Sequence, residues 1–208
     1  MSSYKEREIY YTEDGRLMDG ENAVMMEWEK PIMEFQAEQI CRNGGDVLNV
    51  GFGMGFIDDA IEKYKIKTHS IIEIHPTVQG EIIKRGWDKK EHVKLFFGDW
   101  REHLQNLPKF DGIYIDTWDE VILDFARNVH TILKPGGVFS WFNNPKDDFD
   151  KDNLSDDMVE ILRPRFKMRI ESMVIPKIDS PDKQTGKPDF AYWWQKDNIY
   201  HSPMFILK

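Results

Sequence analysis

The run Asp46-Val47-Leu48-Asn49-Val50 passes directly into Gly51-Phe52-Gly53-Met54-Gly55, and a second apolar run, Ser70 to Ile74, carries an acid, Glu73. Glycines at this spacing let a backbone turn sharply and come close to a bulky ligand, because a Cβ would block both the positive φ angles and the approach. Glu73 follows the glycines by about 20 residues, the interval at which a carboxylate can reach the ribose hydroxyls of an adenosine cofactor. Another acid, Asp116, ends the apolar run that starts at Asp111. In an open parallel sheet the C-terminal strand ends border the ligand crevice, which makes Asp116 a candidate to take a proton from a substrate bound there.

Those residues need a scaffold, and the hydrophobic periodicity predicts one. Phe56 to Tyr64 and Thr77 to Arg85 have helical spacing on either side of the strand Ser70 to Ile74. Val93 to Phe97 reads as a third strand, Arg101 to Leu107 as a helix ended by Pro108, and Asp111 to Asp116 as a fourth strand. Asp119 to Lys134 is apolar at Val121, Ile122, Phe125, Val129, Ile132 and Leu133, a helix that Pro135-Gly136-Gly137 should stop before the strand Val138 to Phe142. The alternation predicts an α/β fold, a doubly wound and mostly parallel sheet with helices on both faces. Beyond Asn143, Lys146 to Asp157 reads as an acidic loop or helix start. Its Asp148, Asp150 and Asp152 are no calcium loop, since Asn153 stands at the turn glycine and Val159 at the bidentate glutamate. Phe166 to Ile175 and Phe190 to Gln195, joined by the polar stretch from Pro176 to Pro188, predict a closing antiparallel hairpin with Ile199 to Leu207 as a final edge segment. The aromatic run Tyr192-Trp193-Trp194 and Tyr200 read as sheet packing.

With 208 residues and 40% hydrophobic content the chain fits one domain, residues 1–208: an N-terminal lid segment (1–45), a cofactor-binding core (46–142) and an acceptor-side region with closing strands (143–208). A net charge of -9 and a sequence pI near 5.2 argue against a broad nucleic-acid surface and suit a cationic substrate. The one cysteine, Cys41, permits no internal disulfide and no zinc spacing, and reads as helix-end packing. Met1 to Tyr10 has no apolar signal region and no uncharged run has membrane-spanning length, so a cytoplasmic protein without a membrane partner is expected.

Phe56 occupies the place of the third glycine in a dinucleotide fingerprint, which argues against NAD. Neither a Gly-x-Ser-x-Gly elbow nor a phosphate loop ending in Gly-Lys-Ser/Thr is present. The cofactor reading that remains is S-adenosylmethionine, whose sulfonium is already an activated electrophile. Catalysis would then rest on alignment of the acceptor, an effect of up to about 7 to 11 kcal/mol.

The segments Val24-Met25-Met26-Glu27-Trp28-Glu29, Pro31, Met33, Val47 to Gly55, Ile71-Ile72-Glu73, Gly98-Asp99-Trp100, Phe110 to Thr117 and Leu133-Lys134-Pro135-Gly136-Gly137-Val138 together resemble the guanidino N-methyltransferases. That group contains guanidinoacetate N-methyltransferase and the fungal and plant enzymes that methylate the δ-nitrogen of protein arginine. The resemblance runs from about Tyr11 to Val138 and continues weakly into Trp194, Asp197, Tyr200 and Pro203. The Met-Met-x-Trp-Glu form and the Gly-Phe-Gly-Met-Gly loop are closer to the δ-nitrogen enzymes. It implies an S-adenosylmethionine-dependent N-methyltransferase acting on a guanidino group of arginine, of an arginine-like small molecule such as guanidinoacetate, or of a protein.

Carried over position by position, the resemblance implies that Gly51, Phe52, Gly53, Met54, Gly55, Phe56 and Ile57, with Met25 and Met33, surround the cofactor. Glu73 would bind the ribose with Ile74 and His75 beside it, Asp99 and Trp100 would lie by the adenine, and Tyr11 is a lid candidate. Glu29 and Asp116 would hold the guanidinium, a planar fork of donors that two carboxylates can grip. Plainer readings stand beside these. Asp116 could cap the next helix, Glu29 could be an exposed charge, and Met25, Trp28 and Met33 could be ordinary core. Trp100 could cover a sheet edge, and His69 and His75 lack metal-ligand spacing. The competing functions are a methyltransferase with a non-guanidino acceptor and a protein that binds the cofactor or its product without turnover.

Overall fold

The computed structural model describes residues 4–117, 119–143, 156–175 and 199–208. It begins with a three-stranded antiparallel sheet of β1 (Ile9–Tyr11), β2 (Arg16–Asp19) and β3 (Asn22–Met26). The two tight connections carry Gly15 and Gly20, both at positive φ, so the chain reverses without Cβ strain. A 3-10 turn, Glu27–Glu29, leads into α1 (Lys30–Cys41), where Pro31 sits in the first turn and its missing N–H costs no helical bond.

The main body then alternates: β4 (Asp46–Val50), α2 (Phe56–Ile61), β5 (Thr68–Glu73), α3 (Pro76–Lys84), β6 (Val93–Phe97), α4 (Trp100–His103), β7 (Phe110–Ile115), α5 (Asp119–Asn128), β8 (Leu133–Trp141), α6 (Asp156–Leu162), β9 (Phe166–Val174) and β10 (Ile199–Leu207). The strands form one sheet in the order β6-β5-β4-β7-β8-β10-β9, parallel from β6 through β8 and antiparallel at β10 and β9. The chain winds outward from β4 to β5 and β6, then crosses back to β7 and β8. The carboxyl ends of β4 and β7 therefore flank the switch point where such sheets open a ligand crevice.

Alternation along the strands divides two cores. Val47, Ile71 and Tyr114 pack with α1, α2 and α3 through Met33, Ala37, Ile40, Ile57, Ile61 and Ile82. Leu48, Val50, Ile72, Ile113 and Ile115 face the other side, against Phe125 and Val129, with Met158 and Leu162 of α6. Strands covered on both faces read as nearly unbroken apolar runs, which is what made them visible in the sequence.

Three expectations need correction. The helix expected to run to Lys134 ends at Asn128 and passes into a 3-10 turn, Val129–Thr131. Pro135-Gly136-Gly137 does not precede the strand but lies within β8 as a bulge: Phe110 pairs with Leu133, and the next pair is Gly112 with Val138. The bulge turns Lys134 back to Asp46 and Asp111, at 2.8 and 2.6 Å, tying the amino ends of three strands. Finally, β10 is not an edge. It lies between β8 and β9, and among the described strands β9 takes the edge. Phe190 to Gln195, the aromatic run 192–194, the connection from 176 to 189 and the acidic stretch up to 155 lie outside the described residues. Cys41 closes α1 with its thiol buried, and burial pushes that thiol up to about 12. Among the described residues no helix is long and apolar enough to cross a membrane.

Candidate functional site

The glycine loop leaves β4 between the ends of its two neighbours. Gly51 N donates to Ile72 O at 2.9 Å, and Asp116 N donates to Val50 O at 3.0 Å. Gly51 has φ +94°, and a Cβ there would collide with the backbone oxygen of Asp116. The loop then closes on itself, Gly55 N to Phe52 O at 2.7 Å, and Gly55 at φ +74° opens α2.

Side chains from four segments hold this loop. Glu73, buried at the end of β5, accepts from Phe52 N through one oxygen at 2.8 Å and from His75 N through the other at 2.7 Å. Burial pushes the Glu73 carboxyl up and these backbone donors oppose it. From the N-terminal sheet, the Tyr11 hydroxyl donates to Gly53 O at 2.8 Å, and Met25 Sδ receives Met54 N at 3.2 Å. Arg85, just past α3, donates to Met54 O at 2.7 Å and to Asp59 at 2.6 Å while its guanidinium stacks 5.3 Å from the Phe52 ring. Arg85 has no sequence signal beyond its place at a helix end.

The remaining expected cofactor contacts are placed as follows. Phe56 starts α2 half-buried, and Ile57 is buried in the core. Met33 is fully buried and receives a 3.4 Å contact from the Tyr114 hydroxyl. Ile74 is half-buried. His75 caps α3 through Nδ1, which accepts Thr77 N at 3.2 Å, and donates from Nε2 to Arg7 O at 3.0 Å, so its ring is the neutral Nε2–H tautomer. Asp99 caps α4 and pairs with Arg101. Trp100 is buried edge-on against Phe125 at 5.0 Å with the Arg101 guanidinium over its ring. Trp100 Nε1 and Thr117 Oγ1 are buried with no hydrogen-bond partner among the described residues.

Glu29 and Asp116, expected to hold the acceptor, come from two distant parts of the chain. Glu29 is 5% exposed, not a surface charge, and its Oε1 accepts Met26 N at 2.8 Å. Asp116 is half-buried at the end of β7. Burial lifts the Glu29 carboxyl well above the usual range and the charge of Asp116 lifts it further; burial alone pushes Asp116 to about 7. The charge of Asp116 is thus felt at Glu29, and burial disfavours the anion of each.

Beneath them lies a polar floor whose hub, Gln36, has no sequence signal and which Tyr200, expected as sheet packing, joins through its hydroxyl. Tyr114 donates to Gln36 Oε1 at 2.6 Å, and Gln36 Nε2 donates to Trp141 O at 2.6 Å and lies 3.1 Å from the Tyr200 hydroxyl. Asn143 N donates to that hydroxyl at 2.8 Å. Burial, and after it the charge of Asp116, raises the pKa of Tyr114. Burial also raises that of Tyr200, opposed by the Asn143 N–H, with Asp116 adding to the rise. A strand places residues i and i+2 on one face, so Tyr114 was the available clue to what stands beside Asp116.

Solved structures with this architecture include the N-methyltransferase NodS from Bradyrhizobium japonicum WM9 in complex with S-adenosyl-L-homocysteine, at TM-score 0.59 and 15% identity over 87% of this chain and 88% of that one. Spermidine synthase from Thermotoga maritima aligns at TM-score 0.63 and 16% identity, covering 96% of this chain and 68% of that one. The fold is that of the class I S-adenosylmethionine-dependent methyltransferases. Within that class the chain belongs to the guanidinoacetate N-methyltransferase family, whose model matches residues 2–177. Among curated proteins it is similar to protein arginine N-methyltransferase 2 of Saccharomyces cerevisiae, 39% identical over 154 residues, 67% of this chain and 37% of that protein. The Emericella nidulans protein of the same name is 32% identical over 207 residues, 92% of this chain and 47% of that protein. The chain thus spans less than half the length of these two relatives.

Proposed function

We propose that the chain is an S-adenosylmethionine-dependent N-methyltransferase whose acceptor is a guanidino group held by Glu29 and Asp116. One observation carries the acceptor: Glu29 and Asp116, 87 positions apart in sequence, come near enough for the charge of Asp116 to act on Glu29, where burial disfavours either anion without a cation. A guanidinium meets that need with a planar set of donors. Family membership and the names of the curated relatives support the same acceptor class.

The residues around the glycine loop fit the donor. Gly51 and Gly53 offer backbone without side chains, Glu73 keeps lone pairs for ribose hydroxyls beyond the two amides it accepts, and Trp100 Nε1 and Thr117 Oγ1 are donors in want of a partner. When bound, the cofactor supplies an electrophilic methyl group on a sulfonium. The protein supplies orientation and a proton acceptor. A protonated guanidinium has no nucleophilic lone pair, so a proton has to leave the attacked nitrogen. Asp116, with a pKa near neutrality and a position beside the loop, takes it, while Glu29 keeps the remaining N–H groups in place.

The name of the curated relatives favours arginine in a protein as acceptor, and that of the family model favours free guanidinoacetate. Labelled methyl donor offered with free arginine, guanidinoacetate, other small guanidines and an arginine-rich peptide, followed by mass spectrometry, decides between them. Label on none of them, with S-adenosylhomocysteine still bound, would sink the guanidino reading.

A further inference from the structure

On the sheet face under α2 the fold hides a chain of charged groups that the proposed chemistry does not use. His69, fully buried in β5, has a carboxylate at each ring nitrogen: Asp58 Oδ1 lies 2.9 Å from Nε2 and Glu62 Oε1 lies 3.0 Å from Nδ1. A carboxylate can only accept, so both ring nitrogens have to donate, and an imidazole that donates from both is an imidazolium. Asp58 Oδ2 in turn accepts from Asn49 Nδ2 at 2.8 Å, and the same Nδ2 donates to Gly51 O at 2.9 Å. These two acceptors fix the orientation of the Asn49 amide, since the opposite one would set its oxygen against two others. Asn49 Oδ1 has no partner among the described residues, as that orientation requires.

We propose that His69 is a positioning residue for the donor loop: as an imidazolium it fixes Asp58, Asp58 fixes the Asn49 amide, and that amide fixes the carbonyl of Gly51. The inference rests on the donor-binding half of the proposed function. It gives the network a measurable purpose beyond cohesion, because the loop is then set only while His69 carries its second proton.

The charged surroundings are few. From α2 and its end come Asp58, Glu62 and Asp59, the last paired with Arg85. From the segment leading into β6, Lys90 and His92 both bond to Glu62, at 2.9 and 3.0 Å. The Trp87 ring closes the other side, its centroid 5.6 Å from that of His69. Burial alone would lower the pKa of His69, but its hydrogen bonds and the charges of Asp58 and Glu62 outweigh it and raise the value above that of an ordinary histidine. Burial also raises the Asp58 carboxyl, opposed by its bonds to His69 and Asn49, so ring and carboxyl titrate as a pair.

The test is calorimetric titration of S-adenosylhomocysteine into the whole chain from neutral to alkaline pH, with histidine 15N spectra reporting the ring. Affinity should fall about tenfold over the interval in which His69 loses its proton, the scale of one charge-assisted hydrogen bond. In Asp58→Asn an amide can offer its oxygen to Asn49 and its NH2 to a neutral His69, so this chain, whatever its affinity at pH 7, should show no alkaline step. A wild-type affinity that stays level while His69 deprotonates, a ring already neutral at pH 7, or a step that survives in Asp58→Asn would each overturn the proposal. Lack of S-adenosylhomocysteine binding at every pH would instead remove the donor reading on which it rests.

Discussion

Gly51 and Asp116 are in backbone contact: the carbonyl oxygen of Asp116 occupies the space a Cβ on Gly51 would need. The glycine loop and the residue proposed as base are thus two sides of one packed junction, so a disturbance of either reaches the other.

Gly51→Ala combines that collision with a φ of +94°, so neither a rotamer change nor a small shift relieves it. We expect a loss of more than about 2 kcal/mol in urea denaturation and no measurable S-adenosylhomocysteine binding. Gly53→Ala is strained too, at φ +55°, but it is the milder neighbour, because its Cβ would meet the end of the Met25 side chain at 3.1 Å and no backbone atom.

Asp116→Asn should reduce kcat/KM by about 10³-fold or more while S-adenosylhomocysteine binds as before, since proton removal and guanidinium charge pairing are lost together. The same change removes an unfavourable buried charge. At pH 8 and without acceptor, the variant should therefore be more stable than the parent by about 1 kcal/mol, seen as a higher Tm. Lower stability with unchanged activity would contradict both halves.

The pH profile follows with its sign. Asp116 binds its proton more tightly folded than unfolded, so between its ordinary value and about 7 the folded state holds the extra proton, and stability in the absence of acceptor falls as pH rises through that window. Acceptor capture runs the other way, because only the ionised pair attracts a guanidinium. We expect kcat/KM for the acceptor to rise through about pH 7 and the Tm without acceptor to drop over the pH units below it, both absent in Asp116→Asn.

Gln36→Leu takes from the Trp141 carbonyl its side-chain donor and from the Tyr114 hydroxyl its shortest bond. The expected cost is about 2 to 4 kcal/mol of stability for a hub of this kind. In the chain that still folds, acceptor KM should rise several-fold with S-adenosylhomocysteine affinity unchanged. An equal loss at both sites would mean that the floor does not belong to the acceptor half.

Tyr11→Phe removes one neutral hydrogen bond, to Gly53 O, and leaves the ring packed. The effect should be confined to about 1 kcal/mol of donor affinity, mainly as faster dissociation in stopped-flow displacement.

The parts of this protein that could be read from sequence are those whose meaning is local. The loop Gly51 to Gly55, Glu73 and Asp116 each lie at the end of an apolar strand that announces itself, and periodicity located α2 and α3 to within about three residues and the start of α5. Glu29 stood out only through resemblance, since nothing in its immediate neighbours shows that Asp116 will lie close by. Asp14-Gly15 and Asp19-Gly20 are hairpin signals that mark the N-terminal sheet, although its strands are too short for alternation to show. The Gln36 floor joins residues up to 164 positions apart, and the His69 relay depends on the facing register of β4 and β5. Neither has a linear signature. The Pro135-Gly136-Gly137 misreading has a simple cause: the same residues that stop helices also make bulges in strands.

The order of the sheet also differs from the order of synthesis. Every described strand that borders the glycine loop is complete once the chain has been made through Thr117, whereas Tyr200 on β10 arrives more than 80 positions later and inserts between strands already formed. A growing chain that folds from its N-terminal side therefore holds the glycine loop, Glu29 and Asp116 before the network of Tyr114, Gln36 and Tyr200 can close, and the last described strand completes that network.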